Sequence, residues 1–367
     1  MLYDNGQLLF LYCDGWQLSK DARYLQIVEE TIAWLQRDMR DKSGAFYSSF
    51  DADSLDPHGH SEVGTFYVWQ PIDVKTLLTP EEFTVASQCY GFDRAANFED
   101  IAHHPYLVMQ PLFDDVEHLK NAQVKLFAAR EKRIKPGRDD KILTSWNALD
   151  IKGLARAGRV FNRPEWIVLA QNAVDFIHEK MWANGKLFAT CKNDGHGHTG
   201  NNYRAHLNAD SDDYAFLLDA LIELLQADFR MADLNFAQEL AEALLENFES
   251  EDGGFYFTSH SHEQLIHRSK QGFDNATPNG NGIAAVALRK LGHILGETNY
   301  LRATERTLKA FDSSMSSNPA ACASLCHALN EFLLPPVMVK IKGEAEKMVE
   351  RRNAINQTFY PHHFFYF

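Results

Sequence analysis

Helix-length runs of apolar residues recur along this chain in pairs, each pair closing on a glycine and an aromatic or apolar residue. The first pair runs from Asp4-Asn5 to Leu18, turns at Ser19-Lys20-Asp21 and continues to Met39, ahead of Gly44-Ala45-Phe46-Tyr47. The plan returns at Trp146-Asn147, turns at Asn162-Arg163-Pro164 and ends at Gly185-Lys186-Leu187-Phe188. It returns again at Asp213-Tyr214, turns near Phe229-Arg230 and ends at Gly253-Gly254-Phe255-Tyr256. The offsets agree: Asn5 to Phe46 is 41 residues, Asn147 to Leu187 is 40, Tyr214 to Phe255 is 41. A fourth copy starts at Asn279-Gly280-Asn281, turns at Gly296-Glu297-Thr298 and lacks the aromatic ending; an apolar helix over about 319–334 follows it.

Each copy therefore reads as an antiparallel helical hairpin. Its first helix is apolar around most of its circumference, as in Leu217, Leu218, Ala220, Leu221 and Leu224, which predicts burial on most sides. Its second helix is amphipathic, with Tyr24, Ile27, Val28, Thr31, Ile32 and Leu35 against Glu29, Glu30 and Arg37. An inner ring of buried helices inside an outer ring of amphipathic ones makes an α/α toroid. An open solenoid shares the hairpins, but its repeats are usually shorter and more even. Turns inside hairpins are short and links between them long, so the long links share the face where the inner helices begin. Function is expected on that face, where free helix N–H groups and positive dipole ends point.

Residues 48–135 interrupt the first two copies. They carry Phe66-Tyr67-Val68-Trp69, which reads as a strand, then short helices near 72–78 and 80–89 and a longer one over about 116–133. The toroid is expected over 1–334, with this insertion inside it. Residues 335–367 form a short strand, helix and tail.

Composition narrows the partners. The chain has 367 residues, with 36 Lys and Arg against 50 Asp and Glu and a net charge of −14. Such a balance argues against a phosphate backbone and against anionic lipid. No run approaches the roughly 18 apolar residues of a membrane span, so neither nucleic acid nor membrane is an expected partner. Five scattered cysteines fit a reducing, cytoplasmic setting better than a disulfide framework.

Seven segments in order carry a resemblance. They are Met1-Leu2-Tyr3-Asp4-Asn5, Asp51-Ala52-Asp53-Ser54, Gly64 to Trp69, Asn97-Phe98-Glu99, Asp139 to Asn147, Asp212-Asp213-Tyr214-Ala215 and Pro278-Asn279-Gly280-Asn281. Together they resemble the spermatogenesis-associated protein 20 family, whose bacterial members include the YyaL type. The resemblance implies an all-α, (α/α)6-type toroid with a few short strands in the inter-hairpin loops, similar to sugar epimerases and unsaturated-glycan hydrolases. Relatives of that kind carry a thioredoxin-like domain and a further hairpin ahead of Met1-Leu2-Tyr3-Asp4-Asn5. The toroid is therefore expected to be incomplete at its start, with the first helix exposed on one side and prone to self-association. No Cys-x-x-Cys is present, so no redox function carries over.

The candidate chemistry is that of carboxylates. Sugar-bond hydrolysis needs two carboxyl groups, one donating a proton and one acting as nucleophile or base. Asp140, Asp213 and Asp53, on links and inner-helix starts, are the candidate catalytic groups. Tyr47, Trp69, Trp146 and Tyr214 offer flat faces for sugar rings, and Asn147 and Asn281 offer amides. Against this, Asp and Asn at helix starts are also favoured caps. An epimerase needs a near-neutral base, for which His206 and His327 are the nearest histidines. Gly280-Asn281-Gly282 could hold a phosphate, but a helix cap explains it equally. The dyads His58/His60, His196/His198 and His260/His262 sit at unmatched offsets, so neither a metal nor a cofactor is expected. The reading is a carbohydrate-active or sugar-binding protein, either a hydrolase or an epimerase, with a sugar or glycan as ligand. The alternatives are a non-catalytic interaction scaffold or a truncated, inactive member.

Overall fold

The computed structural model describes residues 1–56, 58–193, 202–262, 266–340, 344–361 and 363–366. The chain divides into two compact units, one of residues 1–49 and 140–367, the other of 50–139.

In chain order the helices begin with α1 (Leu2–Ser19) and α2 (Ala22–Trp34), the latter running on as a π-helical turn, Leu35–Met39. The second unit holds α3 (Pro71–Leu77), α4 (Pro80–Tyr90) and α5 (Val116–Arg130). The first unit resumes with α6 (Thr144–Val160), α7 (Pro164–Lys180), α8 (Ser211–Ala227) and α9 (Met231–Phe248). It continues with α10 (Gly280–Leu295), α11 (Thr298–Ala310), α12 (Asp312–Ser317), α13 (Ala323–Leu333) and α14 (Ala345–Asn356).

Each predicted hairpin is present. Its turn is made by a residue in the left-handed region, Lys20 (φ 58°), Asn162 (φ 53°) or Gly296 (φ 75°), except between α8 and α9. The inner helices pack in series, α1 on α6, α6 on α8, α8 on α10 and α10 on α13, and α2, α7, α9 and α11 each cover their own inner partner. Burial follows the apolar pattern. In α8 every residue except Asp212 is buried, whereas α1 buries one stripe, Leu2, Gly6, Leu9, Cys13 and Gln17, and leaves Leu8 and Leu11 exposed. Gly6 and Gly153 let α1 and α6 cross closely, since a Cβ on Gly6 would sit 2.6 Å from the Asp150 backbone nitrogen.

Strands are few. Lys186–Asn193 pairs antiparallel with Tyr203–Asn208 and with Ile142–Leu143 in the link region. Val337–Lys340 pairs in parallel with His363–Tyr366, α14 forming the crossover. This terminal βαβ piece is tied to the inner helices: Gln17 donates to the Asn356 and Thr358 carbonyls, and Phe364 is buried.

The second unit packs Trp69, Val74, Leu78, Ala86, Phe92, Ala122 and Leu126 into one core. The expected strand at Phe66-Tyr67-Val68-Trp69 is instead a turn at Phe66-Tyr67 followed by a β-bridge of Trp69 with His103. Arg133 explains why: its guanidinium stacks 3.9 Å over the Trp69 ring and donates to the carbonyls of Thr65, Phe66 and Val68. Those carbonyls would otherwise pair with a neighbouring strand.

Candidate functional site

The repeated residues do structural work at the hairpin junctions. Asn147 Oδ1 accepts from the Phe46 N–H at 2.8 Å, and its Nδ2 donates to the Phe46 and Leu143 carbonyls at 2.9 Å. Asn281 repeats the clip: Oδ1 accepts from Phe255 N–H at 2.6 Å and Nδ2 donates to the Phe255 and Gln271 carbonyls at 3.0 Å. At the junction between them the Tyr214 hydroxyl accepts from Leu187 N–H at 2.9 Å. Gly44 (φ 104°), Gly185 (φ 72°) and Gly253 (φ 87°) stand two residues before the clipped residues and make the turn that presents them. All three clip residues are buried.

These contacts correct three expected ligand contacts. An amide whose oxygen and both hydrogens are committed to backbone has nothing left for a sugar, which removes Asn147 and Asn281. Tyr214 is enclosed by Trp182 and Phe248 rings at 6.4 and 5.1 Å and offers no free face. Trp69 is buried in the core of the second unit with Arg133 over its ring, and borders a cavity of about 550 Å³ within that unit.

The aspartates at the start of α8 divide by role. Asp213 is buried and caps twice, its Oδ1 accepting from Ser145 N–H at 2.9 Å and its Oδ2 from Asp210 N–H at 3.0 Å. Burial pushes it up to about 6 against those bonds. Its expected catalytic role gives way to fixing the start of α6 against α8. Asp212, not among the expected catalytic groups, is half-buried and faces α10. A Cβ on Gly280 would collide with its Oδ1, so glycine at 280 makes room for this carboxyl. Burial, then the Asp213 and Asp210 charges, push Asp212 up to about 7. Burial alone lifts Asp210 to about 6.

The other expected residues have surroundings of their own. Trp146 is half-buried, edge-on to Tyr3 at 4.7 Å between centroids. Tyr47 donates its hydroxyl to Asp41, which also accepts from Tyr203. Asp140 is exposed. Asp53 belongs to the second unit, where it lines an open cavity of about 530 Å³ with Asp51, Ser54 and Lys135. Asp56 accepts from the backbone N–H groups of His58 and His60, and His262 Nδ1 accepts from Ser259 N–H, so these two dyads serve loop folding. His196 and His198 lie outside the described residues. Among the described residues, no group of three or more His, Cys, Asp or Glu could hold a metal ion.

The site the spacing did not reveal runs down the axis of the inner helices. Leu149, Phe216 and Ile283 are spaced 67 residues apart, as are Lys152 and Asp219, and Arg156, Glu223 and Lys290. They occupy matching turns of α6, α8 and α10. On α1, Gln7, Phe10 and Asp14 share the 7-residue spacing of one helix face. The upper turns enclose a cavity of about 200 Å³ lined by Gly6, Gln7, Phe10, Leu149, Lys152, Phe216, Asp219, Pro278 and Ile283. Phe10, Phe216 and Ile283 give it apolar walls. Lys152 pairs with Asp219 at 2.6 Å and lies 4.5 Å from the Phe10 ring centroid.

Below the cavity the charges interlock. Arg156 meets Asp14 at 2.9 Å and Glu223 at 3.3 Å, and Arg159 meets Glu223 at 2.7 Å. Burial raises all three acids that face these cations, and at Asp14 it wins in spite of Arg156. The Arg156 and Arg159 charges outweigh it at Glu223, holding it near about 2, and Lys152 and Lys290 outweigh it at Asp219, holding it below its ordinary range. Mid-helix charges in the most apolar helices were the signal that could have found this site, because burying a charge is costly unless it is paired.

The hairpins have an (α/α)-toroid fold. A GH76 α-mannanase of Bacteroides thetaiotaomicron has the same fold, with a TM-score of 0.51 at 11% identity, covering 100% of this chain and 79% of that one. By sequence the chain is similar to proteins of the spermatogenesis-associated protein 20 family. It is 30% identical to the human protein of that name over 364 residues, covering 90% of this chain and 46% of that protein. An uncharacterized protein of Caenorhabditis elegans is 26% identical over 393 residues, covering 98% of this chain and 53% of that one. The chain thus spans about half the length of these curated relatives. No family model matches it. Among the described residues no helix is long and apolar enough to cross a membrane.

Proposed function

We propose that this chain binds a sugar in the axial cavity and acts on it by carboxylate acid–base chemistry. The observation that carries the reading is the cavity itself: apolar faces from Phe10 and Phe216 beside a charged Lys152–Asp219 pair. Sugars present both an apolar face and a fringe of hydroxyls, and this wall answers both. At about 200 Å³ the space is below the roughly 300–1,000 Å³ of drug-sized pockets, which suits one ring rather than a long glycan.

Two carboxyls one face apart on α8 have environments that push them in opposite directions, the mark of an acid and base pair. Asp212, near neutrality, is the proton donor in this reading. Asp219, held ionised by lysines, is the fixed anion. Trp146, Tyr47 and Asp140 remain proposed rim contacts, and Asp53 a proposed group of the second unit. The mannanase shares this fold and no more, so a glycoside bond is one candidate target and the carbon beside a sugar carbonyl another. A second reading, a sugar-binding scaffold without turnover, is favoured by the commitment of Asn147, Asn281 and Asp213 to packing.

The test is a panel of monosaccharides and disaccharides screened by thermal shift and then for turnover. Turnover should fall as pH rises through about 7, where the raised Asp212 carboxyl loses its proton. Asp212→Asn should cut it by about 100-fold or more while leaving the thermal shift in place. Binding with no turnover in any arm selects the scaffold, and no binding at all sinks both readings.

A further inference from the structure

Arg133 holds the turn of the second unit with only part of its guanidinium. Nη1 alone donates to the Thr65, Phe66 and Val68 carbonyls, at 3.3, 3.0 and 2.7 Å, and Cζ lies 3.9 Å from the Trp69 ring centroid. The Nε–Nη2 edge makes no hydrogen bond among the described residues and is not sealed from solvent. No carboxylate among them stands within ion-pair reach of Arg133; Asp73 is the acid whose field it feels most. Glu131, two residues before it, is taken by Arg130 and Lys135. Two parallel N–H directions are therefore held in place by a ring face and three carbonyls, with nothing to receive them.

Arg133 is also part of the wall of the cavity of about 550 Å³, all of whose lining residues belong to the second unit. That volume is within the roughly 300–1,000 Å³ of small-molecule sites. Leu55, Phe66, Val68 and Ile134 make much of the wall apolar, and Leu55 and Ile134 are exposed, so a solute can enter. The charged members of the wall are Asp73, Lys132 and Arg133. Lys132 is exposed and makes no ion pair among the described residues. Two cations against one acid leave the wall a single positive charge. An arginine edge with two parallel N–H groups matches the two oxygens of a carboxylate. A phosphate dianion would bring one charge more than this wall answers, and would bring it beside Asp73.

We propose that the second unit binds an apolar monocarboxylate, its carboxylate on the Nε–Nη2 edge of Arg133 and its body along Leu55, Phe66, Val68 and Ile134. Lys132 adds to the attraction from the same wall. Because the carbonyls and the Trp69 ring fix the fork beforehand, binding has little left to order there. The site does not depend on the sugar reading of the axial cavity.

Isothermal titration of the whole chain with naphthylacetate, naphthylacetamide, acetate and naphthyl phosphate tests it, in the wild type, Arg133→Lys and Lys132→Glu. Naphthylacetate should bind at least about tenfold more tightly than its amide, which has the same body without the charge. It should also outbind acetate, which has the charge without the body, and naphthyl phosphate. Arg133→Lys keeps the charge, loses the fork and should erase the preference for acid over amide. Lys132→Glu, at an exposed position, should weaken the acid by about threefold or more and spare the amide. Equal affinity for acid and amide in the wild type, a preference that survives Arg133→Lys, tighter binding of acetate or naphthyl phosphate, or silence in every arm overturns the proposal. Should Arg133→Lys fail to fold, or weaken acid and amide together, Lys132→Glu and added salt decide. Each must then weaken the acid and spare the amide, and the proposal falls if either does not.

Discussion

The hairpin junctions and the axis of the ring use polar residues in opposite ways. At the junctions, Asn147, Tyr214 and Asn281 each answer a backbone group of the preceding link, and the answer is neutral and local. On the axis, Lys152, Arg156, Asp219, Glu223 and Lys290 answer one another across helices. Polar residues that recur at fixed register in a repeat are joinery. Those that occupy matched turns but change identity from helix to helix, Arg156 to Glu223 to Lys290, are where a repeat has become asymmetric enough to recognise something.

That contrast can be broken from either side. The largest effect should come from Glu223→Leu, which strips Arg159 of its carboxylate and leaves Arg156 only Asp14, and should cost about 3–5 kcal/mol in urea unfolding. The pH dependence has a definite sign. Glu223 is depressed from 4.5 to about 2 on folding, so its stabilisation is present above about pH 4.5 and lost as pH falls toward 2. The acid limb of the unfolding curve should flatten in the variant. Asn147→Ala should follow at about 2–3 kcal/mol, the cost of leaving the Phe46 N–H and carbonyl without partners. It should leave sugar affinity of the folded protein unchanged; lost affinity would place the clip in the site.

Asp150 belongs to neither class and sharpens both. It is fully buried on α6, neither carboxyl oxygen has a hydrogen-bond partner, and burial pushes it well above its ordinary value. Because the folded form holds the proton more tightly, wild-type stability should decline as pH rises above about 4. Asp150→Leu should gain about 1–2 kcal/mol at pH 7 and lose that decline. The smallest effect is expected at the exposed side of α1. Leu8→Ser with Leu11→Ser should change stability by less than about 0.5 kcal/mol, while reducing any self-association seen by light scattering.

The ring was legible in the sequence because burial all round a helix leaves a plain signature, as in Leu217 to Leu224, and because glycines two residues before Phe46, Leu187 and Phe255 mark each return. The site was legible only in its location near inner helices. Attention went to helix starts, where Asn and Asp stand out, and those turned out to be caps and clips. The cavity residues sit in mid-helix, and Leu149, Phe216 and Ile283 read singly as ordinary core. Only the 67-residue spacing brings them together, and only the lysines and acids interspersed among them distinguish a lined cavity from a filled one.

The clips also set an order of events. A link's end stays unanswered until the next inner helix arrives, so each hairpin is locked by its successor as the chain grows. The Phe255–Asn281 and Leu187–Tyr214 locks span 26 and 27 residues, but Phe46–Asn147 spans 101. Nearly two doublings of loop length add about 1 kcal/mol of closure entropy. The first lock should therefore be the slowest to engage, and refolding followed at Trp146, beside it, should lag behind refolding followed at Trp182.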